Sequence, residues 1–243
     1  MKTIFRPIII CLLLLLLWQG IVDYWHWPDY LLPSPWQTFA TLYDQRILIL
    51  TQSLPTMIEI GVGFTCGILF GCLAACLMIF FRSLSHWLLP IIITSQVIPI
   101  FAIAPLFVVW LGYGSASKIA VTILMIFFPV TSALYDGLSR TPTLWFDLAT
   151  TMNASRWRLF YYIRLPAALP TLASGIRIAA VIAPIGAVVG EWVGSSRGLG
   201  YLMLNANARL QIDQMFAALI IIIVFSLVLY FIVDQLLRRL IWW

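Results

Sequence analysis

Charged side chains are scarce in this sequence. Asp, Glu, Lys and Arg make up only 9% of the 243 residues, whereas 63% are hydrophobic, against roughly 45–50% in an ordinary soluble domain. The mean hydropathy is +1.02, and the apolar runs lack the polar faces of soluble helices. Several runs reach the length of about 20 residues that crosses a hydrocarbon core of roughly 30 Å. The composition therefore excludes a soluble protein and predicts an integral membrane protein.

Lysine and histidine are nearly absent, which limits the chemistry open to the chain. Neither Lys2 nor Lys118 ends a G-x-x-x-x-G-K-[ST] phosphate-binding loop, so the chain cannot hydrolyse ATP by that route. A serine–histidine enzyme needs a base beside its nucleophile, and only His26 and His86 are present. An intramembrane hydrolase that uses Ser195, in the run GSSRG, is one hypothesis; the other interpretation of Ser195 is a loop residue.

The four cysteines lie inside apolar runs and lack the spacing of metal ligands, so they are expected to pack as small hydrophobic side chains. We predict no metal and no cofactor. The net charge of +5 does not indicate nucleic acid, because the arginines lie at the ends of apolar runs, where positive charge sets orientation in a membrane.

Six apolar segments are predicted to be helices, because a backbone in lipid must satisfy its own hydrogen bonds. The predicted fold class is an all-α integral membrane protein, with about six transmembrane helices in a single domain over 1–243. Prolines are expected to kink several helices. The first segment, with basic residues before an apolar run, is either a retained span or a cleaved secretory signal; we interpret it as a retained span, since no small-residue cleavage site follows it. The segments are 7–22, 53–80, 87–111, 118–138, 171–193 and 214–237.

Basic residues predict the orientation of these spans. With the N-terminus inside, nine basic residues lie at inner positions and four at outer ones, which favours two cytoplasmic termini. The inner ones are Lys2, Arg6, Arg82, Arg140, Arg156, Arg158, Arg164, Arg238 and Arg239. The outer ones are Arg46, Lys118, Arg197 and Arg209. Outside the spans we expect an interfacial helix after Pro35, a tight outer turn at 112–117 and a longer outer loop at 194–213.

Two glycine ladders and a few polar side chains stand out within the spans. Glycine at every fourth position makes a flat helix face for close packing, either within one subunit or at a seam between subunits. The ladders are Gly63, Gly67 and Gly71, and Gly186, Gly190 and Gly194.

Intramembrane polar residues are costly and commonly face a cavity or a partner. We predict that Gln96, Glu191 and Glu59 lie along a translocation path. In the alternative, Glu59 and Glu191 lie at headgroup level and Arg177 extends its charge toward the inner surface.

The segment 139–170 is polar and faces the cytoplasm in this topology. LWFDLATTM is predicted to be a helix with Leu144, Leu148 and Met152 on one face. A turn at Asn153 then leads to a second short helix, which is expected to stop before Pro166, and Pro170 is expected to open the next span. This bent helical pair is suited to docking on a cytoplasmic protein.

The same segment resembles the cytoplasmic loop of binding-protein-dependent ABC importer permeases. Their pattern is E-A-A, three residues, Gly, nine residues, Ile, one residue, Leu-Pro. Asp147 stands in place of Glu, Leu148 in place of the first Ala, and Asn153 in place of Gly, a residue for which Asn is a good substitute in a left-handed turn. The matching positions are Ala149, Ile163, Leu165 and Pro166.

Nearly the whole chain resembles the branch of that family that imports nitrate, sulfonates, taurine and thiamine pyrimidine precursors, and the stretch GLGYLMLNANARLQIDQMFAAL is most like the thiamine-precursor members. The resemblance implies a MetI-like core in the bacterial inner membrane, embedded in lipid, that does not itself act as an enzyme. It implies two ATPase subunits, an extracytoplasmic solute-binding protein and a second permease copy. Residues 144–152, with Met152 among the contacts, would couple to the ATPase.

Overall fold

The computed structural model describes residues 2–241, without the side chains of 2–8, 11 and 82. Throughout that range the regular structure is helical. The elements are α1 (Lys2–Trp25), α2 (Pro35–Asp44), α3 (Arg46–Phe80), α4 (Arg82–Val97), α5 (Ile100–Leu111), α6 (Ser115–Ser139), α7 (Thr143–Thr151), α8 (Arg156–Leu159), a π-helical turn (Phe160–Arg164), α9 (Leu165–Gly194), α10 (Leu199–Ala208) and α11 (Ile212–Leu240). The all-α membrane fold predicted from the sequence is confirmed.

Helix α6 lies between α3 and α9 and packs closely on both. The ladder Gly63, Gly67 and Gly71 of α3 faces α6. A Cβ at Gly63 would lie only 2.6 Å from Cγ2 of Thr122, so any side chain there would push the two helices apart. The first glycine ladder therefore packs against a helix of the same subunit.

The second ladder gives α9 a similarly flat face. A Cβ at Gly186 would lie 2.9 Å from Cα of Thr122, and one at Gly190 would lie 2.9 Å from Cα of Lys118. The third glycine, Gly194, faces a side chain of α5. Backbone-to-backbone approach of this kind is possible only without side chains, and it places the polar ends of α3, α6 and α9 side by side.

Four helical stretches within residues 2–241 are long and apolar enough to cross a membrane, namely α3, α6, Arg156–Gly194 and α11. Helices α4 and α5 make a fifth if they count as one span, which bends by 104° at the break before Ile100. Four of the six predicted segments are thus found, and the segment 87–111 is a fifth if the bent pair is one span. The first, 7–22, lies in α1, whose described apolar part, Leu12–Trp25, is shorter than a span, so that crossing stays a prediction.

The predicted helix end before Pro166 is wrong. The chain stays helical from Arg156 to Gly194, and Pro170 lies inside α9 instead of opening it. The N–H of Leu165 donates to the carbonyl of Phe160, five residues earlier. This wider π turn makes room for a proline ring that would clash with the carbonyl four residues earlier in a regular α-helix.

The predicted outer loop at 194–213 contains a helix, α10, and that prediction is therefore wrong in its central part. Helix α10 packs on α9 and α11, with Leu199, Leu202 and Met203 buried in the core they share. The predicted short helix after Pro35 is confirmed as α2. Thr41 of α2 donates to Asp213 Oδ2 of α11 at 2.6 Å, which fixes α2 against the start of α11.

One charged cluster joins α9 to α11. Arg238 Nε donates to Asp234 Oδ2 at 2.8 Å, a spacing of four residues at which helical side chains commonly pair. Arg177 was expected to extend toward the inner surface, but its Nε donates to Asp234 Oδ1 at 2.7 Å. The carboxylate therefore bridges two guanidinium groups, and Arg177 is held between helices.

The close packing of α9 on α6 generates a stability prediction. We expect Gly190→Leu to lower the free energy of unfolding by at least about 1–3 kcal/mol, the usual cost of overpacking, because the side chain would meet the backbone of α6. Gly61→Leu is the matched control, since nothing lies within 4 Å of a Cβ there. The measurement is the Tm of each purified variant in detergent. Equal Tm values would contradict the assigned packing.

Candidate functional site

The bundle carries polar groups at two opposite ends. The α10 end holds the start of α6 and the end of α9, next to α10. The α7 end holds the end of α6 and the start of α9, next to α7. Sequence reasoning predicted functional residues at both ends.

Three ionisable side chains come together at the α10 end. Glu59 of α3, Lys118 of α6 and Glu191 of α9 are only 2%, 1% and 1% exposed, respectively. Both carboxyl groups are buried inside the bundle, and their depth in the membrane stays a prediction.

Glu191 is saturated with hydrogen bonds. Thr56 Oγ1 donates to Glu191 Oε1 at 2.6 Å, and the N–H of Gly200 donates to Oε2. The same Thr56 hydroxyl accepts from the N–H of Leu199 at 2.8 Å. The carboxylate thus receives two donors and holds the first turn of α10, where negative charge is stabilising.

The turn into α10 requires a glycine. Gly198 has φ +114, and a Cβ there would overlap the carboxyl group of Glu191. Its N–H donates to Oε1 of Gln52 at 2.7 Å. Helix α3 therefore fixes this turn with two side chains one helical turn apart, Gln52 and Thr56.

Lys118 is buried as a fully bonded ammonium group. Its Nζ donates to the carbonyls of Tyr113 at 2.6 Å and Gly114 at 2.9 Å, and also to that of Gly194. All three N–H bonds are in use, so the nitrogen has no lone pair with which to accept a proton. Lys118 ties the turn before α6 to the end of α9.

The hydrolase hypothesis receives no support from this geometry. Ser195 Oγ donates to the carbonyl of Arg197 at 2.6 Å, as in an ordinary serine turn. Neither His26 nor His86 lines the cavity beside it. Lys118, which does line that cavity, cannot serve as the base.

A cavity of about 310 Å³ opens beside this cluster. Glu59 lines it, and its Oε2 is buried without a hydrogen-bond partner. The remaining lining comes from α3 and from the turns before α6 and after α9: Leu54, Pro55, Ile58, Tyr113, Gly114, Ser115, Lys118, Ser195, Ser196 and Arg197.

Gln96 is separate from the two glutamates predicted to share its path. It lies in the last turn of α4, just before the break at Pro99, and its side chain is exposed. With Ser95 it lines a different cavity of about 190 Å³, against Leu124 and Met125 in α6. The structure therefore divides the predicted path residues between a buried cluster and a helix break.

At the α7 end, the turn after α7 has the geometry expected from the sequence. Asn153 has φ +52, the left-handed conformation that Gly or Asn adopts most readily. The N–H of Asn153 donates to the carbonyl of Thr150, and the N–H of Ala154 to that of Ala149, each at 3.0 Å. This pair of bonds is a Schellman motif, which ends the helix sharply.

Helix α7 presents an uncovered apolar row. Leu144, Leu148 and Met152 are 73%, 64% and 77% exposed, and Asp147 beside them is exposed as well. Ala149, next to Leu148, is buried and lines the same groove as Leu148 and Met152. The other predicted coupling residues lie at the start of the helix that leads into α9, where they are half-buried: Ile163, Leu165 and Pro166.

Aromatic contacts attach this arm to the spans. The Arg164 guanidinium lies 4.7 Å from the ring centroid of Phe146 in α7. Phe80, the last residue of α3, lies 4.7 Å from Phe160 and 4.9 Å from Trp157 by ring centroids. A groove of about 640 Å³ runs between α7 and the start of α9. Helix α7 thus contacts the π-helical turn through Arg164, and that turn in turn contacts α3 through Phe80.

These features define a polytopic helical membrane protein with an exposed apolar helix at one end and a sharply bent helix pair, α4 and α5. The family described as the inner-membrane component of binding-protein-dependent transport systems matches residues 67–242, and the chain belongs to that family. It is accordingly a multi-pass inner-membrane protein, a permease subunit of an ABC importer for small solutes.

Several relatives support that assignment. A probable ABC transporter permease protein of Haemophilus influenzae is 54% identical over 98% of this chain and 97% of its own length. The formylaminopyrimidine transport permease protein ThiX of Halalkalibacterium halodurans is 37% identical over 89% of this chain and 87% of its own length. The taurine transport system permease protein TauC of Escherichia coli is 29% identical over 84% and 72%.

A solved structure shares the fold. A chain of the MetNI methionine ABC transporter, in an inward-facing conformation, superposes with a TM-score of 0.59. It is 20% identical in sequence and the match covers 79% of this chain and 93% of that one. The MetI-like core predicted from the sequence is therefore confirmed.

The hydrogen bonds of Thr56 generate a second prediction. Thr56→Val would leave Glu191 one donor short and the N–H of Leu199 without an acceptor, so we expect the free energy of unfolding to fall by about 2 kcal/mol. The turn 195–198 should also become easier to cleave by protease. Thr65→Val is the control, because Thr65 is exposed and donates only within its own helix, to Gly61. Equal Tm and equal cleavage rates in the two variants would contradict the role assigned to Thr56.

The left-handed Asn153 generates a third prediction. Asn153→Gly should preserve the turn after α7, whereas Asn153→Val should destabilise it by roughly 1–2 kcal/mol, because a Cβ-branched side chain is strained at positive φ. Hydrogen exchange of the amides of 153 and 154, which close the Schellman motif, measures this directly. We expect faster exchange in the valine variant alone; faster exchange in both variants, or in neither, would show that φ does not govern this turn.

Proposed function

We propose that this permease imports a small polar solute, with a thiamine pyrimidine precursor as the leading candidate, by coupling α7 to a separate ATPase. The observation that carries the proposal is the exposed apolar row of α7. Leu144, Leu148 and Met152 together form an uncovered stripe, and a helix of this kind is suited to insertion in a groove of a partner. The family resemblance of the same residues identifies the partner as the ATPase.

The attachment of α7 supports this coupling role. A docking helix can transmit movement only if it is joined to the spans, and Phe146 and Arg164 join α7 to the helix that continues into α9. Phe80 and Phe160 join that helix to α3. Displacement of α7 by a closing ATPase would then move α3 and α9 together. ATP would act by favouring one of two conformations of the permease.

The path for the solute is proposed to pass the break between α4 and α5. Non-helical backbone at membrane depth is tolerated where it lines a polar cavity or is covered by protein, and transporters commonly place broken helices at their binding sites. Gln96 offers an exposed amide at this break. Both carboxylate oxygens of Glu191 already accept hydrogen bonds. Glu191 would therefore stabilise the structure around the path at the α10 end and would not face the solute.

The choice of solute is supported by similarity. The ThiX relative is named for formylaminopyrimidine and is 37% identical. A riboflavin permease of Chloroflexus aurantiacus is 32% identical, and TauC is 29% identical. Among the proposed solutes this order favours a pyrimidine precursor over sulfonate, taurine or nitrate.

The remaining partners follow from the family. We propose that two copies of this chain form the channel, surrounded by lipid, with both termini in the cytoplasm. In that orientation the α7 end meets the ATPase and the α10 end meets the solute-binding protein outside the membrane. The ATPase supplies the energy, in keeping with the lack of a phosphate-binding loop in this chain.

Charge reversal on α7 tests the proposal. Asp147 is exposed, so Asp147→Lys should leave the fold intact while introducing a repelling charge at the docking surface. We expect loss of solute uptake and of co-purification with the ATPase, and the same after deletion of 147–153. Asp44→Lys, an equal charge reversal at an exposed site on α2, should retain both. An Asp147→Lys or deletion variant that still associates with the ATPase would reject the docking role of α7.

A further inference from the structure

A cavity of about 300 Å³ at the α7 end has two arginines in its wall. Arg156 begins α8 and is exposed, whereas Arg164 ends the π-helical turn and is half-buried. The other lining residues are Ile79 and Phe80 at the end of α3, Phe146 of α7, and Leu159 and Phe160. We call this volume the arginine cavity.

The π-helical turn helps to bring both arginines to this cavity. They are eight positions apart in the sequence, and eight residues of a regular α-helix advance about 80° beyond two full turns. Each hydrogen bond of a π-helix spans five residues instead of four, so the turn Phe160–Arg164 advances less per residue and reduces that difference in direction. Phe160, midway between the arginines in the sequence, lines the cavity as well.

Neither arginine is neutralised by the part of the chain that the structure describes. No carboxylate among residues 2–241 lines the arginine cavity, and the ion pairs in that range do not include Arg156 or Arg164. The Arg164 guanidinium lies over the ring of Phe146, a contact that leaves its positive charge in place. Two unpaired cations beside a cavity attract an anion, and the planar guanidinium group matches the oxygens of a phosphate.

The arginine cavity lies at the end of a span. Helix α3 is long and apolar enough to cross a membrane and ends at Phe80. Trp157 is 4.9 Å from Phe80 by ring centroids and is exposed, and so is Tyr161, one helical turn later. Exposed Trp and Tyr at the end of a span are typical of the level of lipid headgroups. In the proposed orientation this is the cytoplasmic leaflet, whose surface is negatively charged.

The ATPase is proposed to bind a different face of α7. Phe146 is two residues from Leu144 and two from Leu148, and helical side chains two apart point in nearly opposite directions. Phe146 is half-buried, whereas the two leucines are exposed. An ATPase held on the apolar row therefore leaves the arginine cavity on the side of the spans, where lipid is the available partner.

We propose that the arginine cavity binds the phosphate group of an anionic phospholipid, with Arg156 and Arg164 as donors and the rings of Phe80, Phe146 and Phe160 against the glycerol backbone. The lipid contacts α3, α7 and the helix that leads into α9 together, so it attaches the segment that carries α7 to the membrane surface. The site is separate from the apolar row of α7 and from the break between α4 and α5. It therefore adds a lipid-binding role to the permease.

The test is native mass spectrometry of the delipidated permease–ATPase complex, titrated with dioleoylphosphatidylglycerol. Dioleoylphosphatidylcholine, which has the same acyl chains and a phosphate but no net charge, is the comparison lipid. We expect the wild-type complex to bind the anionic lipid at least about 5-fold more tightly in Kd, because basic residues near a membrane surface attract anionic lipid. Equal affinities for the two lipids would overturn the proposal.

Single substitutions locate the binding site. Arg156→Gln removes an exposed charge and should leave the fold intact while it weakens phosphatidylglycerol binding by about 5-fold; Arg164→Gln should weaken it similarly. Arg158→Gln is the matched control, because Arg158 is an exposed arginine of the same short helix that does not line the cavity. Unchanged binding in Arg156→Gln, or equal weakening in Arg158→Gln, would show that the arginine cavity is not the lipid site.

Two further measurements identify the source of the anion. Glycerol 3-phosphate carries the phosphate without acyl chains, so an excess of it should not displace the lipid; displacement would reject the phospholipid in favour of a soluble phosphate compound. Arg156→Gln should still co-purify with the ATPase, because the proposed docking surface is the apolar row of α7. Loss of the ATPase from this variant, with lipid binding unchanged, would assign Arg156 to the ATPase interface and reject the lipid site.

Discussion

The whole structure depends on the close approach of three backbones. Helix α6 is flanked by glycine faces on α3 and α9, and a Cβ added at any glycine of these faces would lie within 2.9 Å of an atom of a neighbouring helix. Lipid tails are as apolar as leucine, so helices in a membrane gain little from hydrophobic contact and associate through tight packing and polar bonds. The glycine faces supply the packing, and they also determine which polar groups can meet.

The polar cluster at the α10 end is a consequence of that packing. Gly190 lies directly against the backbone of Lys118, one residue before Glu191. Gly63, one helical turn after Glu59, faces Thr122, one turn after Lys118. Because the contacts between helices are fixed at these glycines, the three ionisable side chains are carried to a single level of the bundle. The close packing of small residues therefore makes the arrangement of the three ionisable side chains possible.

The same three helices connect the two ends of the protein. Helix α9 begins at the aromatic contacts that hold α7 and ends at the carbonyl of Gly194, which accepts from Lys118. Helix α3 begins beside α10 and ends at Phe80, next to Phe160. Helices α3 and α9 therefore connect the contacts around α7 with the residues around the cavity at Glu59.

Sequence reasoning predicted the features that the surrounding lipid requires. It missed those that depend on contacts between residues far apart in the chain. Lipid demands long apolar helices, so α3, α6, α9 and α11 are evident from hydropathy alone. The left-handed turn at Asn153 is local and was equally predictable. In contrast, Thr56 meets Glu191 across 135 positions of the chain, and no spacing in the sequence indicates this pairing.

The other errors have a similar origin. The helix across Pro166 persists because a π turn relieves the clash, a backbone adjustment that residue preferences do not predict. Helix α10 is short and polar enough to resemble a loop, and it exists because its apolar residues complete a core with α11.

At the α10 end, counting hydrogen bonds distinguishes polar groups that stabilise the fold from polar groups that are free to bind a ligand. Burial alone does not make this distinction. Glu59, Lys118 and Glu191 are equally buried, so a reading by exposure would treat them alike. A buried charge whose bonds are all made by the protein stabilises one arrangement and has nothing left to offer a ligand. Lys118 and Glu191 meet that description, whereas Glu59 retains one acceptor beside an open volume. Hydrogen-bond counting therefore separates two groups that hold the α10 end together from one whose second oxygen the protein leaves unpaired, at a cost in free energy.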